Sequence, residues 1–287
     1  MFEASTRPGR GGPGLHRASR RTRPRKGHAM NILIVYAHPE PRSLNGALRD
    51  RMVATLTAAG HEVLVSDLYA QRWKASLDGA DFPAEPEGAR LRLIDASHRA
   101  FAEGTQTPDV VEEQRRLLWA DAVILQFPLW WFSMPAILKG WVERVFAHGF
   151  AYGVGEHSDR RWGDRYGEGV FAGKRAMLVL TAGGWADHYA ERGINGPIDD
   201  LLFPIQHGIL FYPGFSVLDP FVVYRAERVD EARFRTIAAD LDRRLAGLFT
   251  DRPIAYRPQN YGDYEIPSMR LKDGLGAGQQ GLRLHRA

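Results

Sequence analysis

Three short segments of the 287-residue chain gather side chains that could hold a ligand. The first runs Ala37-His38-Pro39-Glu40-Pro41-Arg42-Ser43-Leu44-Asn45 and offers an imidazole, a guanidinium, a hydroxyl and an amide. Set just before a helix, these groups suit a phosphate or pyrophosphate, because free N–H groups at a helix N-terminus attract anions. Simple capping by Ser43, with Asn45 in the first turn, explains the same residues without a ligand. No Gly-x-Gly-x-x-Gly occurs there, so a dinucleotide turn of the Rossmann kind is not supported. The second segment, Gln126 to Pro135, places Trp130, Trp131 and Phe132 in a row between Pro128 and Pro135. Three consecutive aromatics cannot share one face of a helix or strand, so some project outward. Large exposed rings suit a pocket for a flat apolar ligand, or packing beneath a tail or partner subunit. The third segment is Leu180-Thr181-Ala182-Gly183-Gly184-Trp185, followed by Tyr189 and by Gly193-Ile194-Asn195-Gly196-Pro197. Its glycine pair permits close backbone approach, so that N–H groups can face a ligand.

The elements around these segments place all three together. From Met30 onward apolar strands alternate with amphipathic helices, the pattern of a parallel sheet covered on both faces. Strands are expected at 31–36, 62–66, 122–127, 175–181 and near 214–223. Helices are expected at about 44–59, 108–120, 135–147, 197–209 and 229–248. Residues 70–105 read as irregular, 148–173 as a polar loop, and 250–287 as an extended tail on the body or a partner subunit. Five strands with crossover helices imply a doubly wound α/β sheet of order 2-1-3-4-5, whose ligands sit outside the strands' carboxyl ends. The three chemical segments follow strands one, three and four.

Charge and composition narrow the function classes. The formal charge is +4, but residues 1–29 hold eight Lys or Arg against the single acid Glu3, which leaves the rest of the chain at about −3. The basic balance belongs to that segment, so a nucleic-acid-binding domain is not read from it. Residues 1–29 are expected to be a disordered extension or sequence upstream of a natural start at Met30; an organelle-targeting segment or polyanion-binding arm is the alternative. With no cysteine, disulfides, thiolate metal sites and cysteine nucleophiles are excluded, which suits the cytoplasm. The histidines show no clustered metal-ligand spacing. No apolar run is long enough to span a membrane.

Several longer stretches resemble the NAD(P)H:quinone oxidoreductases of flavodoxin-like fold, the DT-diaphorase-like group. They are Ala37 to Asn45, Gln126 through Leu138-Lys139-Gly140-Trp141 to Phe146, Gly149 to Tyr152, Thr181 to Gly184, and Pro204 to Leu210. The resemblance covers about 30–250, with gaps at 70–105 and 153–173. It implies a homodimer with FAD, and NADH or NADPH as the hydride donor to a quinone-like acceptor. By that likeness His38, Ser43, Leu44 and Asn45 hold the FAD pyrophosphate region. Pro128, Leu129, Trp130, Trp131 and Phe132 line the isoalloxazine, with Trp131 and Phe132 on the substrate side. Thr181, Ala182, Gly183, Gly184 and Tyr189 meet its polar edge, and Arg233 matches a distal FAD contact. Gly183, Gly184, Tyr189 and Asn195 carry the catalytic roles; Tyr152, Val154 and Asn195 join the substrate pocket.

Three departures stand out. Asn195 replaces a histidine that works with the tyrosine in the mammalian-type enzymes, and an amide cannot take up a proton at neutral pH. Val154 replaces a second pocket tyrosine. An Arg-rich insertion near 155–170 reads as a lid for an anionic group or as a solvated loop. The same likeness reaches flavoprotein ancillary subunits of potassium-efflux systems, which supply the alternative: a flavin-binding regulatory subunit of a transporter.

Overall fold

The computed structural model describes residues 29–88 and 90–287. The expectation for residues 1–29 therefore lies, apart from Ala29, outside the described residues. Strands β1 (Asn31–Tyr36), β2 (Glu62–Asp67), β3 (Ala122–Pro128), β4 (Arg175–Thr181) and β5 (Ser216–Val217) form a parallel sheet of order β2-β1-β3-β4-β5. The short β6 (Phe221–Val223) also pairs with β4, further along it. This is the doubly wound α/β arrangement the sequence implies.

Successive side chains of a strand point to opposite faces, and each face of this sheet carries its own core. Leu33, Val35, Val123, Leu125, Leu178 and Leu180 pack on one side against α3 (Pro108–Trp119), α4 (Ala136–Val145) and α5 (Ile198–Ile205). Ile32, Ile34, Ile124, Met177 and Val179 pack on the other against α1 (Leu44–Ala58) and α6 (Glu231–Ala246). Each fully buried aliphatic side chain contributes about 2 kcal/mol. The strands are thus rigid supports for the loops that leave their carboxyl ends.

The structure departs from the periodicity in three places. Within the stretch read as irregular lies α2 (Leu93–Glu103), closed by Gly104 in left-handed conformation. Its buried contacts come from Ala96 and Ala100 against Phe82, too small an apolar stripe to stand out in sequence. The strand expected near 214–223 is split: Asp219-Pro220 separates β5 from β6, and proline supplies no N–H to a ladder. The helix expected at 197–209 stops its α geometry at Ile205 and continues as a π-helical turn, Gln206–Phe211, just after the internal Pro204. In that turn the N–H of Tyr212 reaches His207 O and that of Phe215 reaches Leu210 O.

Residues 251–287 lie against this turn. The Tyr256 ring is buried in the first core, edge-on to Phe203 and His207. A hairpin of β7 (Tyr264–Glu265) and β8 (Arg270–Leu271) follows. The chain end then doubles back, with the N–H of Arg257 donating to His285 O at 3.0 Å and that of Ala287 to Ala255 O at 2.7 Å.

Candidate functional site

Three hydrogen bonds join the ends of β1, β3 and β4. Asn45 Nδ2 donates to Thr181 Oγ1 at 3.0 Å, Gln126 Nε2 to Asn45 O at 2.6 Å, and the N–H of Leu129 to Thr181 O at 2.8 Å. All three sequence segments are therefore one site. Asn45, Gln126 and Thr181 are buried, yet Asn45 Oδ1 and Gln126 Oε1 have no partner among the described residues. An unpaired buried acceptor costs about 1–3 kcal/mol, so a donor reaching either oxygen would stabilise the platform.

The loop after β1 is built around the start of α1. Ser43 is the N-cap, its hydroxyl accepting from the N–H of Gly46 at 3.2 Å, and its Oγ lies 3.0 Å from His38 Nδ1. A Cβ on Gly46 would fall 1.8 Å from Pro41 O, so only glycine lets the loop close onto the helix. Leu44 packs on the second core and fixes the helix beneath it. Arg42 is paired with Glu40. Trp130 stands 6.0 Å from His38, centroid to centroid, which brings the first and second segments together from above.

After β3 the chain makes a tight reversal. Trp130 and Ser133 exchange backbone hydrogen bonds at 3.0 and 3.1 Å, and the two residues between them, Trp131 and Phe132, have φ of +50° and +62°. Positive φ at both central positions is a geometry normally met by Asn-Gly. For bulky side chains it costs about 1–2 kcal/mol each. The cost is not repaid by burial: Trp131 is 92 % exposed and Phe132 49 %. Strain of this kind clusters at active sites and ligand clamps. Pro128 and Leu129, buried and half-buried, anchor the turn to the sheet.

After β4, Ala182 is tied to its neighbours by its N–H to Val223 O and its carbonyl to the N–H of Ala226. Gly183 faces open space, whereas a Cβ on Gly184 would meet the Tyr189 ring at 3.0 Å. Tyr189 is buried and packs 5.6 Å from Tyr224, whose hydroxyl is pushed up from its usual pKa by burial. Asn195 is half-buried, and its N–H donates to His188 O at 2.9 Å. Arg233 turns its guanidinium onto the carbonyls of Tyr224 and Arg225 at 2.6 and 3.1 Å. It thereby braces the loop behind Tyr189.

Tyr152 and Val154 are not brought to this site within one chain. Tyr152 lines two clefts of about 220 and 200 Å³, shared with residues such as Ser97 and Arg144 or Ile209 and Tyr212. The insertion is also engaged: Arg161 pairs with Asp164 and Glu168, and Arg165 donates to Gln259 of the tail at 2.6 Å. Both side chains are thus already partnered within the chain. The sequence assigns no role to Gln126, although it opens the second segment, or to Tyr224, which packs on Tyr189. The one signal available was Gln126 itself, a polar residue inside the buried run Ala122–Pro128.

Comparison with known proteins sets this geometry among relatives. Residues 30–245 match the family described as flavodoxin-like fold. A ribosyldihydronicotinamide dehydrogenase-like protein of Penicillium crustosum is 55 % identical over 257 residues, 89 % of this chain and 95 % of that one. The rat NAD(P)H dehydrogenase [quinone] 1 is 37 % identical, covering 80 % of this chain and 82 % of its own. The crystal structure of a "putative quinone reductase" from Klebsiella pneumoniae superposes with a TM-score of 0.88 at 62 % identity, over 90 % of this chain and all of that one.

Proposed function

The chain belongs to the NAD(P)H dehydrogenase (quinone) family of flavodoxin-like oxidoreductases, and from that premise we propose that it binds FAD and works as a homodimer. The observation that carries the reading is the joined platform of three strand ends, with the strained Trp131-Phe132 turn above it. The residues fit the cofactor. Asn45 Oδ1 and Gln126 Oε1 await donors of the kind a ribityl chain carries, and the first turn of α1 awaits an anion. Held by these residues, the flavin would supply hydride transfer between a dihydronicotinamide and a quinone-like acceptor, with donor and acceptor sharing one place in turn.

The chain's own residues bind and orient. Ser43 and the N-terminal N–H groups of α1 hold the pyrophosphate, and His38, with Nδ1 turned into its loop, offers Nε2–H to the same anion. Leu129, Trp130, Trp131 and Phe132 confine a flat ring, Trp131 and Phe132 excluding water on the substrate side. Gly183 and Gly184 present N–H groups where negative charge builds, a preorganised donor pair. Tyr189 adds a hydroxyl there. Asn195 donates a hydrogen bond to the substrate but relays no proton. Tyr152 and Val154, remote from these groups in their own chain, complete the partner's pocket in the homodimer.

The relatives' names divide over the hydride donor, some being ribosyldihydronicotinamide dehydrogenases and others NAD(P)H dehydrogenases. One experiment tests the whole reading. The purified protein is denatured to identify its flavin, and oxidation of NADH, NADPH and ribosyldihydronicotinamide is followed with and without menadione. FAD and menadione-dependent turnover are expected. Absence of bound flavin, or of turnover with every donor, would overturn it.

A further inference from the structure

The end of the chain reaches the wall of the site from outside. Arg283 pairs with Glu191, and Arg286 pairs with Asp199 at 2.9 Å. Those two acids flank residues 192–198, the arch that carries Asn195 and the almost fully exposed Ile194. On its inner side the arch is held by the backbone bond from Asn195 to His188 and by the close fit of Gly193, whose Cβ would fall 2.3 Å from Asp187 O. On its outer side it meets the two arginines.

The two ion pairs are unequal. Arg283 and Glu191 are both largely exposed, and a pair of that kind contributes little. Arg286 is better placed: it is partly buried, its guanidinium stands 5.7 Å from the centroid of the buried Tyr256 ring, and its own backbone bridges to Tyr256. Asp199 lies in the first turn of α5, directly after the arch, and its charge is felt by Tyr224, the ring packed on Tyr189. Ion pair, charge and ring packing thus link the chain's last residues to the tyrosine of the site.

We propose that residues 281–287 are a strap that positions the acceptor-side wall, with Arg286 as its anchor and Asp199 as the point it holds. By fixing the arch, the strap sets where Asn195 stands and how wide the mouth opens to a quinone-like acceptor. Arg286 is a positioning residue, since it touches neither cofactor nor acceptor. The inference rests on the reading of Tyr189 and Asn195 as substrate-side residues given above.

The test uses the full-length holoenzyme with Arg286→Gln, Asp199→Asn and Arg286→Lys. Arg192, exposed in the arch, provides a trypsin site whose cleavage reports the arch without any turnover. Arg286→Gln and Asp199→Asn should each speed cleavage after Arg192 and raise the menadione KM, both roughly three- to five-fold, the effect of losing one partly buried ion pair. Flavin content and kcat per bound flavin should stay at the parent level, and Arg286→Lys should recover most of both losses. Unchanged cleavage after Arg192 in both neutral variants overturns the strap. Faster cleavage with an unchanged KM overturns its link to the acceptor. If the protein shows no turnover at all, the functional reading falls while cleavage still decides whether the strap exists.

Discussion

Replacing Trp131 by Asn and Phe132 by Gly moves stability and activity in opposite directions. Asn and Gly accept the positive φ that the aromatics endure, so the flavin-free double variant should gain about 2–4 kcal/mol, visible as a higher melting temperature. The same change removes the rings proposed to confine the ligand, and menadione turnover should fall by at least tenfold. A lower melting temperature would show that the turn is not strained. Asn195→His acts on a different quantity. Restoring an imidazole supplies a group that can take up a proton near neutral pH. Stopped-flow reduction of the flavin by NADH should accelerate severalfold, and an unchanged rate would show that the amide does not limit the step. These positions were legible to different degrees. The glycines, Ser43 and Asn45 stood out by type, whereas nothing in Trp131-Phe132 announces a turn that usually takes Asn-Gly.

The π-helical turn and the tail it receives form an element that local sequence could not reveal. Strands β1, β3 and β4 were readable because each is a dense apolar run bounded by polar or breaking residues. The tail's docking depends instead on pairs far apart in the chain: His207 with Tyr256 and His285. That docking is pH-sensitive in a defined direction. Burial pushes the His207 imidazole down to about 4, with the charges of His285 and Arg286 adding to it; the other groups facing it are Tyr166 and Tyr256. His207 is thus neutral when folded but titrates near 6.5 when unfolded. Its contribution is complete above pH 6.5 and is lost as pH falls from 6.5 towards 4, by up to about 1.4 kcal/mol per pH unit. His285 is shifted the same way by burial and steepens the loss. Denaturant melts at pH 7 and pH 4.5 should differ by about 2 kcal/mol more in the parent than in His207→Leu. Equal differences would mean that His207 is not buried neutral.

For the molecule as a whole, the sheet with its two cores explains why the site is a platform, and the tail explains why one side of it is braced. Tyr256→Ala removes the ring that seats the tail, at a cost of about 3 kcal/mol and a fall in melting temperature on the order of 6–12 °C. Calorimetry should show one transition in both proteins, since that ring belongs to the same core as β3 and β4. A separate early transition would mean that the tail folds as an independent unit. The wide turn at Gln206–Phe211 bears on the history of this arrangement. A π turn is what a single inserted residue leaves in an α-helix. Deleting one residue there would restore ordinary winding and rotate everything beyond it by about 100°. Phe211 and the chain leading into β5 would then meet different neighbours, and the surface that receives Tyr256 would be dispersed. The tail and the extra residue are therefore expected to be gained or lost together among descendants of a common ancestor, a paired event that comparison of insertions across relatives can trace.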